Sequence, residues 1–361
     1  MLKILKKLIS FKTITKNHKE NEKALGWIKT QIKDLPVYIK DFKSNGFSSL
    51  VITTQKTKKP IILLQAHLDV VEGPEKVFKP RIVKNRLYGR GAYDMKFAIA
   101  CYLKLLKELN KDLSKYNFGI MITTDEEIGG FNGVKFLLDK GFKSKVCFLP
   151  DGGEEWKFEK EAKGVWHLLI ESKGKSAHGS RPWLGKNAIE NLISFLNVLR
   201  KEFPREPCHI KNHYHETLNI GKIQGGIAIN KIPDSAFAWI DIRFTSKTNK
   251  SHLKKLLNSV KKNFKDIKIK EIVFGDNFKI NPDNPYIQTF SQIALKRFKI
   301  KTSFVISHGS SDARFFVKKK IPVLLIKPKG GGQHSEKEWI DLKDLDRFYL
   351  VLKEFVTRVS K

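Results

Sequence analysis

The sequence predicts an α/β fold, with a central, mostly parallel sheet, helices on both faces and an inserted α+β domain. Three observations predict it. Towards both ends of the chain, short apolar runs bounded by turn residues alternate with segments of period near 3.6. In the middle the order of elements changes to β-α-β-β-α-β. The length, 361 residues, exceeds what one hydrophobic core usually serves.

The chain opens on an apolar stretch in which Leu2, Leu5, Leu8 and Ile9 fall at helical spacing between Lys3, Lys6 and Lys7. No small-residue cleavage site follows, so it reads as an amphipathic helix and not as a secretion signal. Strands are expected at 49–54, 61–66, 118–124 and 146–149. A helix is expected at 95–109, with Ala98, Ile99, Tyr102, Leu106 and Leu109 on one stripe. The middle segment reads as strand 165–172, helix 187–203, strands 217–224 and 236–243, helix 251–264 and strand 267–274. That order is the ferredoxin-like split unit. Helix–strand alternation then resumes through 286–298, 302–306, 311–317, 321–326 and 342–359. The expected division is a discontinuous domain of residues 1–162 and 275–361, and an inserted domain of residues 163–274.

Composition bounds the function. Hydrophobic residues are 41% and charged residues 29%, the proportions of a globular chain and not of a disordered one. No run of about 18 uncharged apolar residues occurs, which excludes a transmembrane helix and argues against a membrane partner. Cys101, Cys147 and Cys208 are odd in number and widely spaced, so neither a disulfide framework nor a CxxC metal pair is expected, and the default compartment is the reducing cytoplasm. The net charge of +32 is the one abnormal number. It raises the reading of a basic nucleic-acid-binding protein, but the details argue for no nucleic acid. Arginine, the residue suited to forked contacts with phosphates and base edges, occurs 11 times against 58 lysines spread along the whole chain. A solvated lysine surface, or steering of an anionic substrate, accounts for the excess.

Five polar stations fall at strand ends or in glycine loops, where α/β sheets place ligands. They are HLDVV at 67–71, GRGAYDMK at 89–96, TDEEIGG at 124–130, PDGG at 150–153 and GGGQHSEKEW at 330–339. Each has a plainer reading by itself. Asp94 is placed to cap the helix after it, Asp151 suits a turn, and 125–127 suits a solvated acidic turn. Together they supply two histidines and several carboxylates without thiolates. That donor set suits zinc, manganese or cobalt in a hydrolytic centre and not a closed structural zinc site.

The order and wording of these stations resemble the two-metal amidohydrolases that include acetylornithine deacetylase, succinyl-diaminopimelate desuccinylase, aminoacylase, carnosinase-type dipeptidases and glutamate carboxypeptidase. The resemblance covers essentially the whole chain. It implies two divalent metal ions, zinc first, with cobalt or manganese as alternatives. His67 and Asp151 would hold one ion, Asp94 would bridge both, and Glu127 and His334 would complete the other. Asp69 would hold the far side of the His67 ring, and Glu126 would be the general base. The inserted domain would be a lid and dimerisation domain, which admits a homodimer through it, with a monomer as the alternative. SAHGSRP at 176–182 would bring His178 to the oxyanion. GGIAINKIP at 225–233, DIRF at 241–244 and GSSDAR at 309–314 would bring Asn230, Arg243, Ser310 and Arg314 to the substrate, whose carboxylate suits an arginine fork. The reading is therefore a hydrolase that cleaves the amide of an N-acyl amino acid (acetyl or succinyl) or of a short peptide with a free carboxylate. A dipeptidase or carboxypeptidase of the same family is the alternative. A non-catalytic binding relative would lack a ligand or the base, and none is missing.

Overall fold

The computed structural model describes residues 1–204, 209–210 and 213–361, so Cys208 and Arg205 lie outside the described residues. Cys101 and Cys147 are buried free thiols. The chain divides into two compact units. One comprises Met1–Lys160, Lys279–Ser307 and Ser311–Lys361; the other comprises Glu161–Phe278 and His308–Ser310. Domain limits of 162/163 and 274/275 put His308–Ser310 with the C-terminal segment, whereas these three residues cluster with the inserted unit.

The first unit is built on a six-stranded sheet. Its order is Tyr38–Ser44, Phe47–Thr53, Phe118–Thr123, Ile62–His67, Val146–Phe148 and Val323–Leu324. The last four strands are mutually parallel, and only Phe47–Thr53 runs against its neighbours. Ile62–His67 and Phe118–Thr123 are buried at every residue, as strands covered on both faces must be. Burying each such Leu or Ile contributes roughly 1.5–3 kcal/mol.

Helix Lys96–Leu109 differs from the single stripe expected of it. Eleven of its residues are buried, including Lys96, whose ammonium donates to the carbonyls of Leu8 at 3.0 Å and Phe11 at 2.9 Å. An interior helix has no solvent face to reveal by periodicity. Asp94 does not cap it: the capping position is Met95, with no side-chain bond. Helix His18–Thr30 and the edge strand Tyr38–Ser44 are additions to the expected elements. A small antiparallel sheet ordered Gly330–Gly331, Trp339–Asp341, Arg86–Tyr88 and Arg81–Val83 joins the late glycine loop to the segment before Asp94.

The second unit carries the β-α-β-β-α-β order. Its strands Gly164–Lys173, Thr217–Gly225, Ser235–Phe244 and Ile267–Gly275 form one antiparallel sheet. Alternate residues Trp166, Leu168, Ile170, Ala238, Ile240 and Ile242 pack in one core with Leu192, Phe195 and Leu199 of helix Ala188–Lys201 and with Leu253 and Leu257 of helix Lys250–Lys261. Both helices thus cover the same face of the sheet. No helix among the described residues is long and apolar enough to cross a membrane.

Candidate metal centre

The parallel strands of the first unit bring their C-terminal ends together, because His67 pairs in register with Thr123 and Leu64 with Phe148. The residues that follow those ends are Asp69, the acids at 125–127, and Asp151. The small sheet places Trp339 opposite Tyr88, which carries the His334 loop towards the Asp94 loop.

Two groups of donor atoms result. His67, Glu126 and Asp151 form one, and Asp94, Glu127 and His334 form the other, each with its atoms within 4.8 Å of one another. His67 Nε2 lies 3.4 Å from Asp94 Oδ1 and 3.5 Å from Asp151 Oδ1. His334 Nε2 lies 3.0 Å from Asp94 Oδ2 and 3.3 Å from Glu127 Oε2. Asp94 thus turns one oxygen to each group.

Electrostatics bear on what such a site requires. His67 Nε2 and Asp94 Oδ1 are buried and make no well-formed hydrogen bond. Burial alone would strip the proton from His67, yet the carboxylates of Asp151, Asp69 and Asp94 outweigh it and set its pKa well above the ordinary value. His334 is pushed up to about 10, first by Asp94 and then by Glu127. Desolvation raises Asp151, Glu126 and Glu127. Imidazoles that hold protons only because carboxylates surround them offer what a divalent cation displaces, so the donor set fits metal ions.

Asp69 lies behind the His67 ring and has further partners. His67 Nδ1 lies 2.9 Å from the backbone carbonyl of Asp69, while the nearer carboxylate oxygen is 3.6 Å away. The carboxylate is occupied elsewhere: it accepts from Thr15 Oγ1 at 2.8 Å and from the amides of Glu126 and Glu127, both at 3.2 Å. Asp69 therefore fixes the His67 ring through its main chain and the paired glutamates through its side chain.

Four residues absent from the sequence reading surround the centre. Lys327 is buried, with its ammonium 3.5 Å from Asp94 Oδ1 and 3.8 Å from Asp151 Oδ1. Burial lowers its pKa, but these two carboxylates reverse the shift and hold the ammonium charged. Gln333 Nε2 donates to Asp94 Oδ2 at 2.7 Å. Glu338 accepts from the amides of Gly91 at 3.0 Å, Tyr93 at 2.8 Å and Asp94 at 3.0 Å, and its partner Arg90 lies 3.1 Å away. The signals were present: Lys327 ends the apolar run 321–326, and Glu338 shares a motif with His334.

The residues expected to meet substrate have other partners here. Arg314 is buried and donates to the carbonyls of Ser311 at 2.8 Å and Gly129 at 2.6 Å, bracing the turn after the acid pair. In the second unit, His178 is exposed with Nδ1 2.8 Å from Ser180 Oγ, and the main chain of its loop bonds to that of Asn230 through Gly179 at 2.7 Å. Ser310 belongs to this unit. Arg243 has an anion of its own, because its Nε donates to Asp241 at 2.9 Å and 3.1 Å. Positions 241 and 243 share one face of a strand, so the sequence DIRF supplies the guanidinium with its own anion.

Comparison with known proteins gives a consistent answer. The model of peptidase family M20/M25/M40 matches residues 63–358. The succinyl-diaminopimelate desuccinylase of Pelagibacter ubique is 30% identical, spanning 88% of this chain and 87% of its own. That of Rickettsia akari is 28% identical and spans 98% of both chains. A metallo-carboxypeptidase of the M20 family from Sulfolobus solfataricus superposes with a TM-score of 0.82 at 18% identity, covering 98% of both chains. A tripeptidase from Staphylococcus aureus does so with a TM-score of 0.79 at 20% identity, covering 99% of this chain and 97% of its own. These two likenesses establish the fold alone. With two candidate metal-binding groups on a fold whose family implies a dinuclear divalent centre, the chain belongs to peptidase family M20/M25/M40 and is a metal-dependent amide hydrolase.

Proposed function

We propose that the enzyme removes a succinyl or acetyl group from an N-acyl amino acid that bears a free carboxylate. The observation that carries the substrate class is the 30% identity to a succinyl-diaminopimelate desuccinylase over most of both chains. His67 and Asp151 would hold one divalent ion, Glu127 and His334 the other, with Asp94 between them; zinc is the first choice, then cobalt or manganese. Bound there, such ions polarise the scissile carbonyl and make water acidic enough to be deprotonated near neutral pH.

The chain's own residues do the rest. Glu126 takes the proton of the attacking water and returns it to the leaving amine, a role that its neighbour Glu127 gives up by serving as a ligand. Asp69 keeps both glutamates oriented through their amides. His178 donates to the carbonyl oxygen as negative charge develops on it. Arg243 and Asn230 hold the substrate carboxylate, with Ser310 and Arg314 proposed to line the same pocket. The inserted unit, with Ile220 and Ile223 exposed along its edge strand Thr217–Gly225, is proposed as the surface through which two copies pair. Buried free thiols support a cytoplasmic site of action.

The test is a release assay of the metal-loaded enzyme on N-succinyl and N-acetyl amino acids and on dipeptides, each as free acid and as amide. Turnover of the acyl amino acids as free acids, lost on amidation, is the expected result. Turnover of dipeptides alone would replace this substrate class by a dipeptidase. Equal turnover of acid and amide would remove Arg243 from its proposed role.

A further inference from the structure

The segment after the first helix reaches the centre without giving it a donor atom. Lys96 donates to the carbonyls of Leu8 and Phe11 and so pins the end of helix Leu2–Ser10. Residues 13–15 then run beside residues 68–70. The Val70 amide donates to the Thr13 carbonyl at 2.9 Å, Thr13 Oγ1 donates to the Leu68 carbonyl at 2.7 Å, and Ile14 pairs with Val70 in a parallel bridge. Thr13 and Thr15 are both buried.

Their hydroxyls reach different groups. That of Thr13 ends on main chain, and that of Thr15 on the Asp69 carboxylate, 2.8 Å from Oδ2. The same carboxylate accepts from the Glu126 amide on Oδ1 and from the Glu127 amide on Oδ2, both at 3.2 Å. Those two contacts lie at the long end of the N–H···O range, whereas the Thr15 bond has the usual length for a hydroxyl donor. The last torsion of an aspartate is soft, so the group turns easily unless something holds it. One such rotation would displace the acceptors of both glutamate amides together. The turn Glu126–Ile128 has no substitute at its start: Asp125 makes no capping bond to it and accepts instead from the Asn132 amide at 2.7 Å.

We propose that Thr15 is a positioning residue for the reaction: its hydroxyl fixes the plane of the Asp69 carboxylate, and Asp69 in turn fixes the turn that presents Glu126. The inference rests on the reading of Glu126 as the base. It makes an N-terminal strap that holds no ligand part of what aligns the proton transfer.

The test compares two threonines of one strap in the full chain at saturating zinc, with the best-cleaved member of the N-acyl amino acid and dipeptide panel as substrate. Thr15→Val keeps the shape and removes the donor. It should lower kcat by about tenfold or more, the scale of a group that supports a metal centre from behind, with two equivalents of zinc still bound and KM nearly unchanged. Thr15→Ser should restore kcat to within about threefold of wild type, because it restores the hydroxyl. Thr13→Val removes an equally buried hydroxyl, so it should lower Tm as Thr15→Val does yet keep kcat within about threefold. Equal losses of kcat in the two valine variants, a Thr15→Val variant that loses only stability, or a serine that restores nothing would each overturn the proposal. Should Thr15→Val fail to fold by circular dichroism, Thr15→Ala makes the same comparison. In a Glu126→Gln background, Thr15→Val should cost less than about threefold more, since the group it aligns is gone. An undiminished further loss there would overturn the inference and spare the base. A Glu126→Gln variant with full kcat would overturn the base, and the inference with it.

Discussion

His67 and His178 are both expected to serve the same reaction, and the two units hold them in opposite ways. His67 ends a fully buried strand, with Nδ1 fixed by a main-chain carbonyl and Nε2 left facing carboxylates. His178 is exposed on a loop, with Ser180 as its ring's hydrogen-bond partner. The first arrangement is complete before any ligand arrives. The second leaves its donor free to turn to a new partner. Preorganised groups should therefore reveal themselves in metal content and stability, and adaptable ones in kcat alone.

The largest expected effect is on Glu126, the proposed base and not a ligand. Glu126→Gln should lower kcat by at least about 10²-fold with metal content nearly intact, since general-base catalysis is worth roughly 10²–10⁴. Loss of metal instead, by elemental analysis, would make Glu126 a ligand and reverse the roles of the adjacent glutamates. On the exposed side, His178→Ala should cost about 10²–10³-fold in kcat, the scale of one oxyanion donor, with little change in KM. An unchanged kcat with a raised KM would move His178 to simple binding and erase the contrast.

A smaller effect separates positioning from ligation. Asp69→Ala removes the acceptor for Thr15 Oγ1 and for the amides of both glutamates, so metal affinity should fall about 10–100-fold while both equivalents still bind. A competition titration with a chelator reads this directly. Complete loss of one equivalent would make Asp69 more than a support.

The smallest expected effect concerns a buried carboxyl outside both donor groups. Burial first, and the nearby charge of Asp151, raise Glu159 from its ordinary 4.5 to about 7, against the amide of Gly153 that bonds to it. Below about pH 4.5 the folded and unfolded states both hold the proton, and the group is neutral to stability. As pH rises to about 7 the unfolded state ionises first, so stability is lost over that interval and stays lost above it. Glu159→Gln should therefore stabilise the protein at pH 8 by on the order of 1–3 kcal/mol and close the gap near pH 4. Urea melts at the two pH values decide it, and an equal gain at both would assign the effect to packing.

The sequence carried most of the fold where apolar runs were clean. Strand Ile62–His67, the whole inserted order and helix Leu342–Val359 follow from period and turn residues. It failed where polarity hid the element. Tyr38–Ser44 has no buried residue and is held by antiparallel pairing to Phe47–Thr53, by an edge contact of Phe42 with Phe142, and by ion pairs of Asp41 and Lys43 with helix His18–Thr30. Helix His18–Thr30 buries only Asn21, Ala24, Leu25 and Ile28. At the centre, residue type and strand-end position marked the polar stations, and the family resemblance singled out within them the six residues that gather into donor groups. They could not reveal that Asp69 spends its carboxylate on two amides, or that Arg243 finds Asp241, because both depend on pairing geometry. Lys327 escaped because a lysine at the end of an apolar run reads as its solvent-facing stop, whereas here the chain turns it inward.

Glu338 carries a consequence for how the enzyme is made. It gathers the amides of Gly91, Tyr93 and Asp94, residues that precede it by as many as 247 positions. At a synthesis rate of about 5–20 residues per second, roughly 10–50 s separate the emergence of Asp94 from that of the carboxylate that holds its loop. Through that interval His67 and Asp94 are already present in a nascent chain that has neither Glu338 nor His334. A ribosome that stalls ahead of residue 334 releases a chain with five of the six donor residues and no carboxylate to hold the Asp94 loop. The metal centre cannot close before residue 338 has emerged.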